Sequence, residues 1–215
     1  MNSVHFFNSD IFTWNQSYAT VDGNRVIDKT QRSSEICTQK FFIDFPTELI
    51  SFCKICQIKI PEQLECTLYK YNVNDFFAEH TDRKRNDLHM YTVLLLPPCN
   101  KKTVNYFKGG KLKIGSIDID CSSIQTYTYV IFNIDILHEL EPILEGTRYV
   151  FKSQFDVENN LVVPNTFPFT KEINRNFKIK SSDIIIYDDV DKDTSIDIKN
   201  ILLKNILNKM KNNDK

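Results

Sequence analysis

The chain has 215 residues, is 41% hydrophobic and 12% aromatic, and carries a formal net charge of -1. That length suits one compact domain or a core with appendages, and the apolar share is enough for a sizeable core. The near-neutral charge removes any global electrostatic reason to bind nucleic acid or anionic lipid, and no apolar run approaches a membrane span.

The N-terminus, MNSVHFFNSDIF, lacks the basic and apolar regions of a secretory signal. Six cysteines (Cys37, Cys53, Cys56, Cys66, Cys99, Cys121) follow no framework spacing and read as reduced thiols. Together these features predict an intracellular, cytoplasmic protein with no membrane partner. Residues 1–60 read as an N-terminal supporting segment, with extended aromatic-rich pieces leading into a helix. The helix is expected after Pro46, with Thr47 able to cap it. Its apolar face of Leu49, Ile50, Cys53 and Cys56 makes Cys53-x-x-Cys56 a pair of buried thiols rather than a zinc or redox motif.

Residues 61–158 change texture to short β-rich runs: CTLYKYN, FFAEHTD, YTVLLLP, KLKIGSI, TYVIFNI, HELEPIL and TRYVFKSQF. Alternating or continuously apolar runs spaced by about 8–15 residues predict a sandwich or barrel, not a βαβ sheet. Four of the five glycines fall here, and FKGGKL, KIGSI and LEGTR read as turns. Residues 159–215 are a polar extension ending in an amphipathic helix, capped by Asp193 or Thr194, with Ile198, Ile201, Leu202, Ile206 and Met210 as its stripe. Within it, Asp189 to Asn200 places acids as an EF-hand loop does. Thr194 stands where that loop needs Gly and Asn200 where it needs Glu, so an acidic linker explains the run better than calcium binding.

His80 and Asp82 lie two residues apart in FFAEHTD, where strand alternation points both to one face. An imidazole and a carboxylate so placed converge on one metal but supply only two ligands. His138, at the start of a later strand, is the third candidate. Two His and one carboxylate can fill one face of an octahedron and leave the opposite positions open. Arg148 follows His138 by ten residues, after a predicted turn at Glu145-Gly146, and a guanidinium is a bidentate clamp for a carboxylate.

The order His80-x-Asp82, GGKL at Gly109 to Leu112, His138, and Arg148 after EGT resembles the 2-oxoglutarate- and Fe(II)-dependent dioxygenases, in their prolyl 4-hydroxylase-like branch. YKYNVNDFFAEHTD is similar to that branch's Tyr-x-x-Gly-x-x-Phe-x-x-His-x-Asp signature, and the likeness covers about residues 66–157. It implies a mainly β fold, a double-stranded β-helix or jelly roll with flanking α-helices. It also implies that His80, Asp82 and His138 bind Fe(II) at the catalytic centre, and that Arg148 binds the far carboxylate of 2-oxoglutarate. Tyr71 and Thr92 stand at positions that meet the co-substrate. The implied reaction consumes O2 and 2-oxoglutarate, releases succinate and CO2 and hydroxylates a substrate C–H bond, with ascorbate keeping the iron reduced. Leu96 stands where the family often has a second Tyr. Asn74 replaces the signature Gly, and Asn tolerates the left-handed region.

His89 reads as a surface or strand-entry residue, and Arg83 to Arg85 as a solvated loop. The expected substrate is a protein or peptide, foremost a prolyl residue. Oxidative nucleic-acid demethylation on the same iron chemistry is the runner-up, and lacks a second arginine after Arg148 and a basic surface. A non-catalytic iron-binding sensor is the third reading.

Overall fold

The computed structural model describes residues 12–21, 24–55, 58, 60, 61, 63–83, 90–156, 177–181 and 184–188. Cys56, Lys84, Arg85, His89, the acidic run 189–200 and the expected C-terminal helix lie outside the described residues. Along the chain come β1 (Trp14–Gln16), β2 (Ala19–Val21), β3 (Asn24–Val26), β4 (Arg32–Ser33), β5 (Glu35–Cys37), β6 (Phe41–Asp44) and the helix α1 (Thr47–Ile55). Then follow β7 (Gln63–Tyr71), β8 (Phe76–His80), β9 (Met90–Leu96), β10 (Tyr106–Gly109), β11 (Leu112–Ile114) and β12 (Ile117–Ile119). The last are β13 (Thr128–Asn133), β14 (His138–Leu140), β15 (Ile143–Asp156), β16 (Phe177–Ser181) and β17 (Ile184–Asp188).

The architecture is mainly β, a jelly-roll sandwich of antiparallel sheets with α1 as its described flanking helix. The major sheet has ten strands in the order β1-β5-β7-β15-β9-β13-β17-β16, with β10 on β15 and β6 on β7. The minor sheet has five, β12-β11-β14-β8-β4, and β2 and β3 form a separate hairpin. Both flanks of the predicted core therefore contribute strands. β1, β5 and β6 from the N-terminal segment join the major sheet, and β16 and β17 extend it from a region whose composition reads only as a polar extension.

The major sheet is buried on both faces, which is why its central strands are continuously apolar. Tyr91, Val93 and Leu95 of β9, Tyr129 and Ile131 of β13, and Tyr149 and Phe151 of β15 join one core with Phe41, Leu49, Phe52 and Cys53. The intervening Leu94, Leu96, Val130, Phe132 and Val150 join the second core, which the minor sheet covers with Leu112, Ile114 and Leu140. Each buried side chain of this size is worth about 1.5–3 kcal/mol against exposure. α1 lays Leu49, Phe52 and Cys53 on the first core, as its apolar spacing requires, and Cys53 is buried and in no disulfide.

One expected turn is absent. Glu145-Gly146 lies inside the continuous strand β15, where Phe107 of β10 pairs with Gly146. The glycine is needed there because its φ is 77° and an added Cβ would sit 2.0 Å from the Tyr106 carbonyl oxygen. It serves the close approach of two strands rather than a reversal. Asn74, in the turn between β7 and β8, has φ 71° and adopts the left-handed conformation in place of the glycine.

Candidate metal centre

The centre forms where β8 and β14 meet in the minor sheet. Their register places His138 directly opposite His80, with ring centroids 4.1 Å apart. Phe77 stacks on the His80 ring at 3.5 Å between centroids, and Phe132 meets His138 edge-on. Asp82 lies just beyond β8, tied by its backbone N–H to the Ile134 carbonyl at 2.9 Å. That bond holds the chain extended for two residues past the strand, so the carboxylate stays on the face of His80.

His80 and His138 each set Nδ1 against a backbone carbonyl, of Ala78 at 2.8 Å and of Ile136 at 3.0 Å. Since a carbonyl only accepts, Nδ1 carries the proton and Nε2 presents a lone pair. His80 Nε2 is buried without a hydrogen-bond partner. The two Nε2 atoms lie 3.6 Å from Asp82, His80 from Oδ1 and His138 from Oδ2. All three donor groups fall within 4.8 Å of one another. Donors at right angles about 2.1 Å from one ion are about 3 Å apart, so a small inward movement completes a facial site. An orphaned imidazole nitrogen, a second neutral imidazole and a carboxylate fit a divalent transition metal.

Electrostatics prepare the same state. Burial alone raises the Asp82 carboxyl, but the Lys152 ammonium hydrogen-bonded to it outweighs burial and holds it well below the usual carboxylate range. Burial, then repulsion from His80, pushes His138 down to about 4. Asp82 is thus an anion and His138 neutral near neutral pH, the protonation states that a metal requires of a carboxylate and an imidazole.

A cavity of about 400 Å³, counting its part open to solvent, adjoins the triad and is lined by His80, His138, Tyr71, Leu94, Arg148 and Lys152 among others. Arg148, on β15 opposite Tyr71, is 3% exposed. Its Nη2 donates to the Cys121 sulfur at 3.6 Å, and its guanidinium lies 5.6 Å from the Tyr71 ring centre. Strand alternation puts Val150 and Lys152 on the same wall. Lys152 Nζ donates to Asp82 Oδ1 at 2.6 Å. Thr92, fully buried on β9, is not on the cavity wall, and its hydroxyl donates to Asp82 Oδ2 at 2.6 Å. Arg83 pairs with the exposed Asp135 at 2.7 Å.

Arg32 is the buried cation on the wall that sequence reading missed, along with wall residues such as Tyr69, Phe77 and Glu139. It comes from β4, a two-residue strand without periodic signal, and reaches the cavity only because β4 pairs with β8.

No family model and no curated protein matches this chain. Among solved structures it is similar to a prolyl-4-hydroxylase from Pseudomonas putida, at 19% identity and TM-score 0.41, over 66% of this chain and 77% of that one. It is also similar to an oxidoreductase of the 2OG-Fe(II) oxygenase family from Burkholderia pseudomallei, at 13% identity and TM-score 0.40, over 69% and 75% respectively. The donor set and the cavity, not these likenesses, define the chemistry open to this chain.

Proposed function

We propose that this chain is an Fe(II)- and 2-oxoglutarate-dependent dioxygenase that hydroxylates a C–H bond of a protein or peptide, with a prolyl residue the first substrate to test. The observation that carries the reading is the convergence of His80, Asp82 and His138 at one end of a cavity that also holds the buried Arg148. With metal and 2-oxoglutarate bound, the site would supply oxidative decarboxylation of the keto acid, coupled to oxygen insertion into the substrate. His80, Asp82 and His138 would hold the iron through Nε2 and a carboxylate oxygen. Arg148 would fix the far carboxylate, and Tyr71 would shape the wall between them. Leu94, Val150 and Leu140 would keep water from the reacting end. Thr92 acts in this reading on the Asp82 carboxylate, not on the co-substrate.

The test is succinate release from 2-oxoglutarate by the iron-loaded protein, alone and with a peptide library scored by mass spectrometry for a gain of one oxygen. His80→Ala and Asp82→Ala are each expected to abolish turnover and leave the fold intact. Arg148→Leu is expected to raise the apparent 2-oxoglutarate constant by at least about tenfold, the loss of a charge-assisted contact of about 1.5–3 kcal/mol. Wild-type turnover in both triad variants sinks the assignment. Iron binding without succinate or CO2 across broad substrate pools converts the reading to a non-catalytic iron-binding protein.

A further inference from the structure

The cavity holds a second buried guanidinium. Arg32 is 6% exposed and lies over two aromatic rings, 4.3 Å from the centre of Tyr69 and 4.2 Å from that of Phe77. Its Nε donates to Ser34 Oγ at 2.9 Å and its Nη2 to the Tyr71 hydroxyl at 3.2 Å. These partners orient the planar group but none carries a full negative charge. Among the described residues no carboxylate pairs with Arg32 or with Arg148. Glu139, the acidic residue on the cavity wall, is paired with Lys113 at 2.8 Å.

A buried arginine cannot shed its proton, so burial without an anion carries a desolvation cost that a bound anion recovers. One arginine would answer one carboxylate. Lys152 and Asp82 already form a neutral pair, and a divalent metal would cancel a dicarboxylate. The guanidinium charges of both Arg32 and Arg148 then remain in excess, so Arg32 can share a carboxylate of the co-substrate with Arg148 or take a further one.

We propose that Arg32 is a second carboxylate-binding residue of this cavity. Its carboxylate belongs either to an acidic group on the molecule that is oxidised or to the co-substrate, gripped jointly with Arg148 across Tyr71. The proposal rests on the cavity being the ligand site of the proposed oxygenase. The competing role is a staple that packs Tyr69 against Phe77.

The experiment compares wild type, Arg32→Met and Arg32→Lys in the full chain loaded with Mn(II). Equilibrium dialysis measures 2-oxoglutarate binding. Thermal shift at saturating 2-oxoglutarate measures binding of an acetylated, amidated aspartate, with the asparagine counterpart as the neutral control. Arg32→Met keeps apolar contact with both rings. It is expected to weaken one of the two probes by at least about tenfold and to leave the ligand-free Tm unchanged or higher. Loss of 2-oxoglutarate binding assigns the carboxylate to the co-substrate; loss of aspartate binding assigns it to the substrate. Arg32→Lys, which keeps the charge but not the planar fork, is expected to weaken the same probe by roughly threefold, and decides the matter if Arg32→Met fails to fold. Binding within twofold of wild type for both probes overturns the proposal, as does a wild type that binds neither. A wild type that binds aspartate, measured then without co-substrate, but not 2-oxoglutarate defeats the oxygenase reading and leaves Arg32 to be judged on aspartate.

Discussion

Each imidazole of the triad gives its Nδ1 proton to a carbonyl of its own strand segment, and Asp82 is fixed in the same spirit by groups that are not metal ligands. Thr92 Oγ1 and Lys152 Nζ, both 2.6 Å from the carboxylate, decide which way its two oxygens face. Removing one such donor frees the carboxylate to rotate. Thr92→Val, nearly isosteric and fully buried, is therefore expected to weaken Mn(II) or Fe(II) affinity by about 10–100-fold while the unfolding midpoint moves little. Metal affinity equal to wild type would falsify the orienting role. His138 yields a pH prediction for the chelator-treated protein. Its unfolded imidazole takes a proton near 6.5, whereas the folded one holds out to about 4, because burial and His80 disfavour its charge. Between those values the unfolded state binds the extra proton, so stability falls as pH drops from 6.5 toward 4. Urea midpoints are expected to fall more steeply across that window in wild type than in His138→Asn. Parallel slopes would remove the imidazole as the cause.

At the scale of elements, β10 and β15 show how a strand crossing delivers a side chain. Gly146 sits two residues before Arg148, and the Tyr106 carbonyl occupies the space that any Cβ there would need. Gly146→Ala must accept a left-handed conformation costing about 1–2 kcal/mol and also push β10 away. A loss of roughly 2 kcal/mol or more is expected in the denaturation midpoint, with a weaker grip on 2-oxoglutarate because Arg148 moves with the strand. A loss below about 0.5 kcal/mol would mean that β10 yields freely. This crossing also marks where sequence reading stops. The runs around Val93, Ile131 and Phe151 were legible as strands because burial on both sheet faces forces unbroken apolarity. His80 and Asp82 were legible as neighbours on one face because strand alternation is written in adjacent residues, whereas His138 and Arg148 lie far along the chain and came from the family resemblance. His138 joins the other two donors, and Asn74 takes the left-handed turn expected of it. Gly146 was misread as a turn, since a glycine in a strand and a glycine in a reversal look alike until the partner strand is known. The contact of Thr92 with Asp82 depends on where β9 runs relative to the segment after β8. Arg32 depends on a pairing across more than forty residues, Arg32 with Phe77, and a two-residue strand leaves no period to read.

At the scale of the molecule, the two cores share the same strands. Adjacent residues of β9, β13, β15 and β17 alternate between them, so Leu95 belongs to one and Leu94 to the other. Neither core can open without exposing the reverse face of the sheet that closes the other, and the chain should therefore unfold as one unit. The buried cysteines report on this without added probes. Cys37, Cys53 and Cys66 lie in the first core, Cys99 and Cys121 in the second. Burial pushes the Cys66 thiol up to about 12, and raises that of Cys121 as well, so the thiolate that reacts with an alkylating reagent is scarce in the folded state. Pulse alkylation at pH 8 along a urea series, read by peptide mass spectrometry, is expected to label Cys53 and Cys121 at one common midpoint. Leu95→Ala, which empties a site in the first core at a cost of about 2–5 kcal/mol, should lower that midpoint for both cysteines together. Labelling of Cys53 at a clearly lower urea concentration than Cys121, in either protein, would show that the helix-side layer opens by itself and that the sheet does not couple the two cores.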